Sequence, residues 1–264
     1  MTHLIRPLRK LGLGIVAAAS LLAAHAAWAQ TAVTPSTGGD RLAAPEAVFI
    51  VTRVDARKCM YPTCGGYFVR AVNAKLTRCA DGTQAKECHA VELDTLSNLG
   101  WTPEQQSAFE EDFGKGFALV KGALTPQPRG LYTGDVLRVT QAWRAQARHK
   151  PYGTFYGVHS SGIVCIKAPC PSIQADVLNT QLPTTYPDVL LSSSGAPKAA
   201  IEAGNAAMAT AEGIIAVGVQ VPSTLDVPTT STSLTVAPTA PATTPSTSKT
   251  PRLLASEFYL PAKP

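Results

Sequence analysis

Apolar and polar residues alternate along this chain in short blocks of two kinds. Val48-Phe-Ile-Val-Thr-Arg-Val54 is β-branched and aromatic and reads as a strand. Tyr67 to Val72 reads as the next, with Tyr67, Val69 and Ala71 on one side and Phe68, Arg70 and Val72 on the other. His89 to Leu93 follows as a third. The pattern then changes period. Thr102-Pro103-Glu104-Gln105 is a helix start, with a capping threonine, proline in the first turn and glutamine completing a capping box. Phe109 and Phe113 share one helix face, and Gly114 to Gly116 ends the helix. Gly116–Gly122 and Asp135–Trp143 return to strand character, with a turn expected at Pro126 to Gly130.

The same order recurs. Phe155–Asn179 aligns with Phe49–Asn73 at a constant offset of 106 without gaps, matching Phe155, Cys165, Cys170 and Asn179 to Phe49, Cys59, Cys64 and Asn73. A strand at Val189–Leu191, an Ala-rich helix from Pro197 to Ala211, and strands at Gly213–Gly218 and Arg252–Leu260 complete it. The expected fold is therefore α+β: two homologous β-loop-β-β-α-β-β modules, mainly antiparallel sheet with one helix each and disulfide-stapled loops. Module 1 spans 47–147 and module 2 spans 148–264. Module 2 carries an insertion at 222–251 of almost pure Ser, Thr, Pro, Ala and Val, which lacks the apolar periodicity of a folded segment.

The first 46 residues have a different character. Arg6, Arg9 and Lys10 precede an apolar run from Leu11 to Ala24, and Ala27-Trp28-Ala29 offers a signal-peptidase site. The run is shorter than the ~20 residues of a membrane span. Residues 1–29 are expected to be a cleaved signal peptide, and 30–46 a flexible leader, so no membrane span is expected after cleavage. Formal net charge is +5, but the three signal-peptide cations leave 20 basic against 18 acidic residues. A near-neutral chain argues against nucleic acid as a partner.

Export changes the reading of the six cysteines. Cys59, Cys64, Cys79 and Cys88 have zinc-site potential in a reducing compartment, but an even count in an exported chain reads as disulfides. If the modules are alike, Cys59 pairs with Cys64 and Cys165 with Cys170, leaving Cys79 for Cys88. Each such small loop contributes about 2–3 kcal/mol. No metal and no cofactor is expected.

Catalytic signatures are weak. Gly157 to Gly162 has the wrong spacing for a nucleophile elbow, and there is no His-Glu-x-x-His. His89, His149 and His159 are scattered; His89 reads as a strand-end residue. Glu92 and Asp94 lie at strand spacing and read as a solvated strand end, and Glu110, Glu111 and Asp112 as the wet face of the helix. The better candidate is a recognition loop: Asp55, Arg57, Tyr61, Pro62, Gly65, Gly66 and Tyr67 decorate the first Cys loop, with Asp55 and Arg57 also able to brace it.

The pattern Arg53-x-Asp55-x-Arg57-x-Cys59-x-x-Pro62-x-Cys64-Gly-Gly-Tyr-Phe-Val69, then Asn73, Cys79-Ala-Asp-Gly82 and Cys88, resembles a family of exported bacterial proteins classed as a domain of unknown function. Gly162-Ile163-x-Cys165-x-x-Ala168-Pro-Cys-Pro-Ser172 and Leu178-Asn179 resemble it too, over roughly Val48 to Val219. The resemblance implies an exported location and a domain extent but no activity. The expected function is binding of a protein or envelope ligand in the periplasm or outside the cell. An envelope hydrolase with a composite site between modules, and an inhibitor presenting Pro62 or Pro169, are the alternatives.

Overall fold

The run Val48-Phe-Ile-Val51 lies in strand β1 (Ala47–Val54), and all four residues are buried. Phe49 and Val51 enter one core, Val48 and Ile50 another. A strand covered on both faces has no polar side, so its apolar run is continuous. The structure is a computed structural model that describes residues 44–164, 166, 170, 172–222 and 251–263. The expected signal peptide, nearly all of the leader, Cys165 and residues 223–250 of the insertion lie outside the described residues.

β1 pairs antiparallel with β2 (Tyr67–Ala71) and with β7 (Ala118–Arg129), and β7 forms a long hairpin with β8 (Tyr132–Ala145). On the far side of β2 lies β5 (Cys88–Ala90). One residue later the chain becomes β6 (Glu92–Asp94), which joins β8 in parallel. These pairings return to their start, so the strands form a closed ring. A small hairpin, β3 (Thr77–Arg78) with β4 (Gln84–Ala85), fills the loop before β5. The short helix α1 (Leu96–Leu99) leads to α2 (Pro103–Gly114), which carries the expected capping box: Gln105 N–H donates to Thr102 Oγ1, and Thr102 N–H to Gln105 Oε1. Phe109 and Phe113 are fully buried among Leu93, Leu124, Leu137 and the inward side chains of β1, β2 and β7.

The second half follows with β9 (Thr154–Ser160), β10 (Ile173–Val177), β11 (Leu182–Tyr186), β12 (Val189–Leu190), a 3-10 turn at Leu191–Ser194, α3 (Lys198–Met208), β13 (Ile214–Val221) and β14 (Arg252–Pro261). The antiparallel order is β11-β10-β9-β13-β14-β8-β7-β1-β2-β5, with β14 meeting β8 at Tyr259–Ala145. Like β6 on β8, β12 runs parallel to β14. A second core holds Tyr156, Tyr186, Leu253 and Phe258. A third, containing Val48, Ile50, Leu119, Phe155, Ile215 and Tyr259, lies between the two halves. The fold is mostly antiparallel sheet with few helices.

Three sequence expectations need correction. The turn at Pro126 to Gly130 is strand: β7 continues to Arg129, and the chain reverses around Gly130 and Leu131. Pro126 and Pro128 fit because β1 covers β7 only as far as Gly122, so beyond it one edge needs no N–H. The strand expected at His89–Leu93 is two strands, since Val91 donates its N–H to Asp135 O as the chain passes from β2 to β8. The ungapped register also fails over part of its length. Against β2 and β10, Phe49 faces Ala71 where Tyr156 faces Val177, an offset of 107. An extra residue in β1, Thr52 at a bulge, restores 106 from Arg53 onward.

Candidate functional site

The chain leaving β1 enters the first Cys loop through Asp55, a short polar residue followed by a hydrogen-bonding arginine. Asp55 N–H donates to Gly66 O at 2.9 Å, closing the base of the loop. The Asp55 side chain is fully buried and is gripped by Arg57, whose Nε lies 2.8 Å from Oδ1 and Nη2 2.7 Å from Oδ2. His89 Nε2 lies 3.2 Å from Oδ2 and 2.8 Å from Gly65 O. The Arg57 hydrogen bonds hold the Asp55 carboxyl well below the usual carboxylate range, against the opposing effect of burial. Asp55 therefore braces the loop from inside, clamped by the exposed Arg57 side chain.

Gly66 has φ +74° and backs onto β5, where a Cβ would stand 2.2 Å from Ala90 O. Gly65 has φ +86° and faces open space. Tyr67 points inward, edge-on to Phe113 at 5.3 Å, with its hydroxyl 3.5 Å from Glu110 Oε2. Burial pushes its phenol up to about 12. Outside this lattice, Arg53 lies over the Phe68 ring at 3.4 Å and bonds Glu87, whose carboxyl is lowered first by the Thr52 hydroxyl.

The loop's outer tip is different. Cys59–Cys64 and Cys79–Cys88 are both disulfides, and Cys170 is disulfide-bonded as well. Within the first staple, Pro62 is buried and presents no exposed point; Pro169, the other proline of the inhibitor alternative, lies outside the described residues. Pro62 packs toward Gly134 of β8, where a Cβ would lie 3.1 Å from the proline Cβ. Met60 and Tyr61 are left outside, 77% and 51% exposed. Tyr61 donates its hydroxyl to Glu92 Oε2, which also receives Arg129 Nη2 at 2.5 Å, and the Arg129 guanidinium lies 6.0 Å from the Tyr61 ring. Arg129 pairs across the hairpin with Tyr132. The loop tip thus adjoins the hairpin tip, where Leu131 and Tyr132 are 99% and 51% exposed.

The structure divides the sequence candidates. Tyr61 is at the tip, Asp55, Arg57, Gly65 and Gly66 support it, and Tyr67 and Pro62 belong to the packing beneath. His89 joins the Asp55 brace. Glu92 and Asp94 do not act as a pair: Glu92 serves Tyr61 and Arg129, and Asp94 accepts from Ser97 N–H at the start of α1. Asp112 is not on a wet face. It lies between Arg144 at 3.2 Å and Arg148 at 2.8 Å, because the end of β8 passes beside the end of α2. Among the described residues no group of three or more His, Cys, Asp or Glu converges as a metal site would, and no helix is long and apolar enough to cross a membrane.

Two features had little signal in the sequence. Leu131 and Tyr132 fell between the expected turn and the expected strand and drew no reading, since prolines masked the length of the hairpin. Glu257, an acid within an apolar strand, is fully buried and accepts N–H bonds from Gln146, Ala147, His149 and Phe258 at 2.8–3.2 Å. Its anomaly was the available clue, because a buried carboxylate needs such partners.

Fold and loop define a disulfide-stapled antiparallel β protein with an apolar rim. The chain belongs to the family described as "Domain of unknown function (DUF6748)", whose family model matches residues 48–264. The match runs past Val219, where the resemblance had ended, and takes in the insertion and β14. No curated protein and no solved structure matches the chain.

Proposed function

We propose that this is an exported binding protein of two homologous modules, which contacts a protein partner through the rim formed by the first Cys loop and the β7–β8 hairpin. The observation that carries the reading is the convergence of Met60, Tyr61, Leu131 and Tyr132, large apolar side chains left in solvent at adjoining tips. Such side chains are expensive to expose together and mark contact surfaces. The Cys59–Cys64 staple and the Asp55–Arg57–His89 brace hold this tip, which reduces the ordering lost on binding. Disulfides favour an oxidising compartment, in keeping with a signal peptide at 1–29.

The two-module reading is supported by the pairings. β8 with β6 in parallel and β7 antiparallel is matched by β14 with β12 and β13. Asn73 and Asn179 both stand at φ 59° at the ends of corresponding strands. The second loop exposes Ile163, Val164 and Ile166, and residues 223–250, which join β13 to β14, lie outside the described residues.

The rim is tested with the variant M60S/Y61S/L131S/Y132S, expressed in the native cell. Wild-type protein is expected to sediment with a partner in detergent-free extracts, and the variant to sediment alone at an unchanged melting temperature. Identical sedimentation of both proteins contradicts the reading.

A further inference from the structure

A cavity of about 690 Å³ lies away from the loop tip, lined by Ile50, Thr52 and Arg70 on β1 and β2, the end of α2 through Phe117, and the β8–β9 linker from Arg148 to Pro151. Its charge is one-sided. Arg70, Lys115, Arg148, His149 and Lys150 line it. Four carboxylates adjoin its lining residues, and each is already engaged: Glu111 by Lys115 at 2.6 Å, Asp112 by Arg148 and Arg144, Glu87 by Arg53 and the Thr52 hydroxyl, and Glu257 by backbone N–H groups. Arg70, Lys150 and the His149 ring make no hydrogen bond or ion pair among the described residues.

The linker that carries three of these groups is held in place from below. Glu257 accepts the backbone N–H groups of Gln146, Ala147 and His149, which flank Arg148. Arg148 itself has φ +58°, a left-handed backbone that side chains other than Gly, Asn and Asp rarely adopt. Its guanidinium lies 4.6 Å from the Phe117 ring. A strained cationic residue fixed by a buried carboxylate at a cavity mouth is an arrangement that functional sites favour. Phe117, Ile50 and Pro151 add apolar wall, and the volume falls within the ~300–1,000 Å³ of small-molecule sites.

We propose that this cavity binds a small organic anion, with a phosphate or carboxylate group received by Arg70, Lys150 and Arg148 and an apolar body against Phe117 and Ile50. The cations supply charge-assisted hydrogen bonds, and the apolar wall limits the site to ligands that are more than a bare ion. The site is independent of the protein-binding rim, so either can fail alone.

The test uses the full exported chain and titrates phenyl phosphate and phenylacetate at constant ionic strength by calorimetry. Saturable binding of one or both is expected, and the preferred probe identifies the acidic group. R70Q/K150Q is expected to bind at least about tenfold more weakly, the scale of one charge-assisted contact, with an unchanged melting temperature. K198Q/K263Q, which removes equal charge elsewhere, is expected to bind as wild type. Binding of neither probe, or equal weakening in both double variants, overturns the proposal.

Discussion

Asn73 and Asn179 fasten the two halves of the fold to each other by reaching across in opposite directions. Asn73 Nδ2 donates to Phe155 O at 2.8 Å and Leu178 O at 3.0 Å, and its Oδ1 accepts from Phe155 N–H. Asn179 Nδ2 donates to Val48 O at 2.8 Å and Val72 O at 2.9 Å, and its Oδ1 accepts from Val48 N–H. β1 and β9 are not ladder neighbours, so these carboxamides bridge the opening beside the third core. Asparagine suits both demands, since it tolerates positive φ and offers donor and acceptor together.

Asn73→Ala and Asn179→Ala are each expected to destabilise by about 1–2 kcal/mol, since the backbone partners they strand are only part-buried. Asn73→Asp should be worse than Asn73→Ala, because it sets a carboxylate against two carbonyl oxygens. Urea midpoints with unchanged slopes check this. Equal stability of the alanine variants and wild type contradicts the bridge.

The sequence made both asparagines visible only as matched residues at the ends of an aligned stretch. Their role depends on where β1 and β9 meet, which no local pattern encodes. The strands themselves were legible, since Val48–Val54 and Arg252–Leu260 carry strong β character, and so was α2 through its capping box. The hairpin was read short because Pro126 and Pro128 look like turn residues unless the strand edge is known to be free. The first Cys loop was legible as a decorated, stapled loop, but its residues could not be sorted into brace and tip. That division follows from His89 and Gly134, which come from other strands.

Gly65 and Gly66 look alike in sequence and should behave differently. Gly65→Ala incurs only the left-handed backbone penalty, about 1–2 kcal/mol. Gly66→Ala also drives a Cβ into Ala90 O, so it is expected to lose substantially more, with displacement of β5 from β2. Thermal unfolding of the pair checks the order; equal losses contradict the packing described for β5.

The Asp55 brace implies a pH dependence. Its folded-state pKa is depressed, chiefly by Arg57, so its contribution is present above the ordinary value of 3.8 and is lost as pH falls below it through the folded value. Asp55→Asn should therefore melt lower than wild type at neutral pH, and the gap should close in strong acid. Melting curves from neutral to acidic pH check the sign. A gap that widens with acid contradicts it.

Glu257→Gln replaces an acceptor of four N–H bonds and turns an amide toward one of them. A loss of about 3 kcal/mol or more is expected for such a buried charged group. The linker it holds should loosen as well, seen as faster trypsin cleavage after Arg148 under native conditions. Unchanged cleavage contradicts the role given to Glu257.

Contact of a protein with the adjoining tips of the Cys59–Cys64 loop and the β7–β8 hairpin can be caught by photocrosslinking in the native cell. A photoreactive residue is placed at Leu131 and, as a control, at Leu182, which is also exposed but lies on β11. One discrete protein adduct is expected from position 131, weakened by M60S/Y61S, and none from position 182. No adduct at 131, or the same adducts at both positions, would contradict the contact.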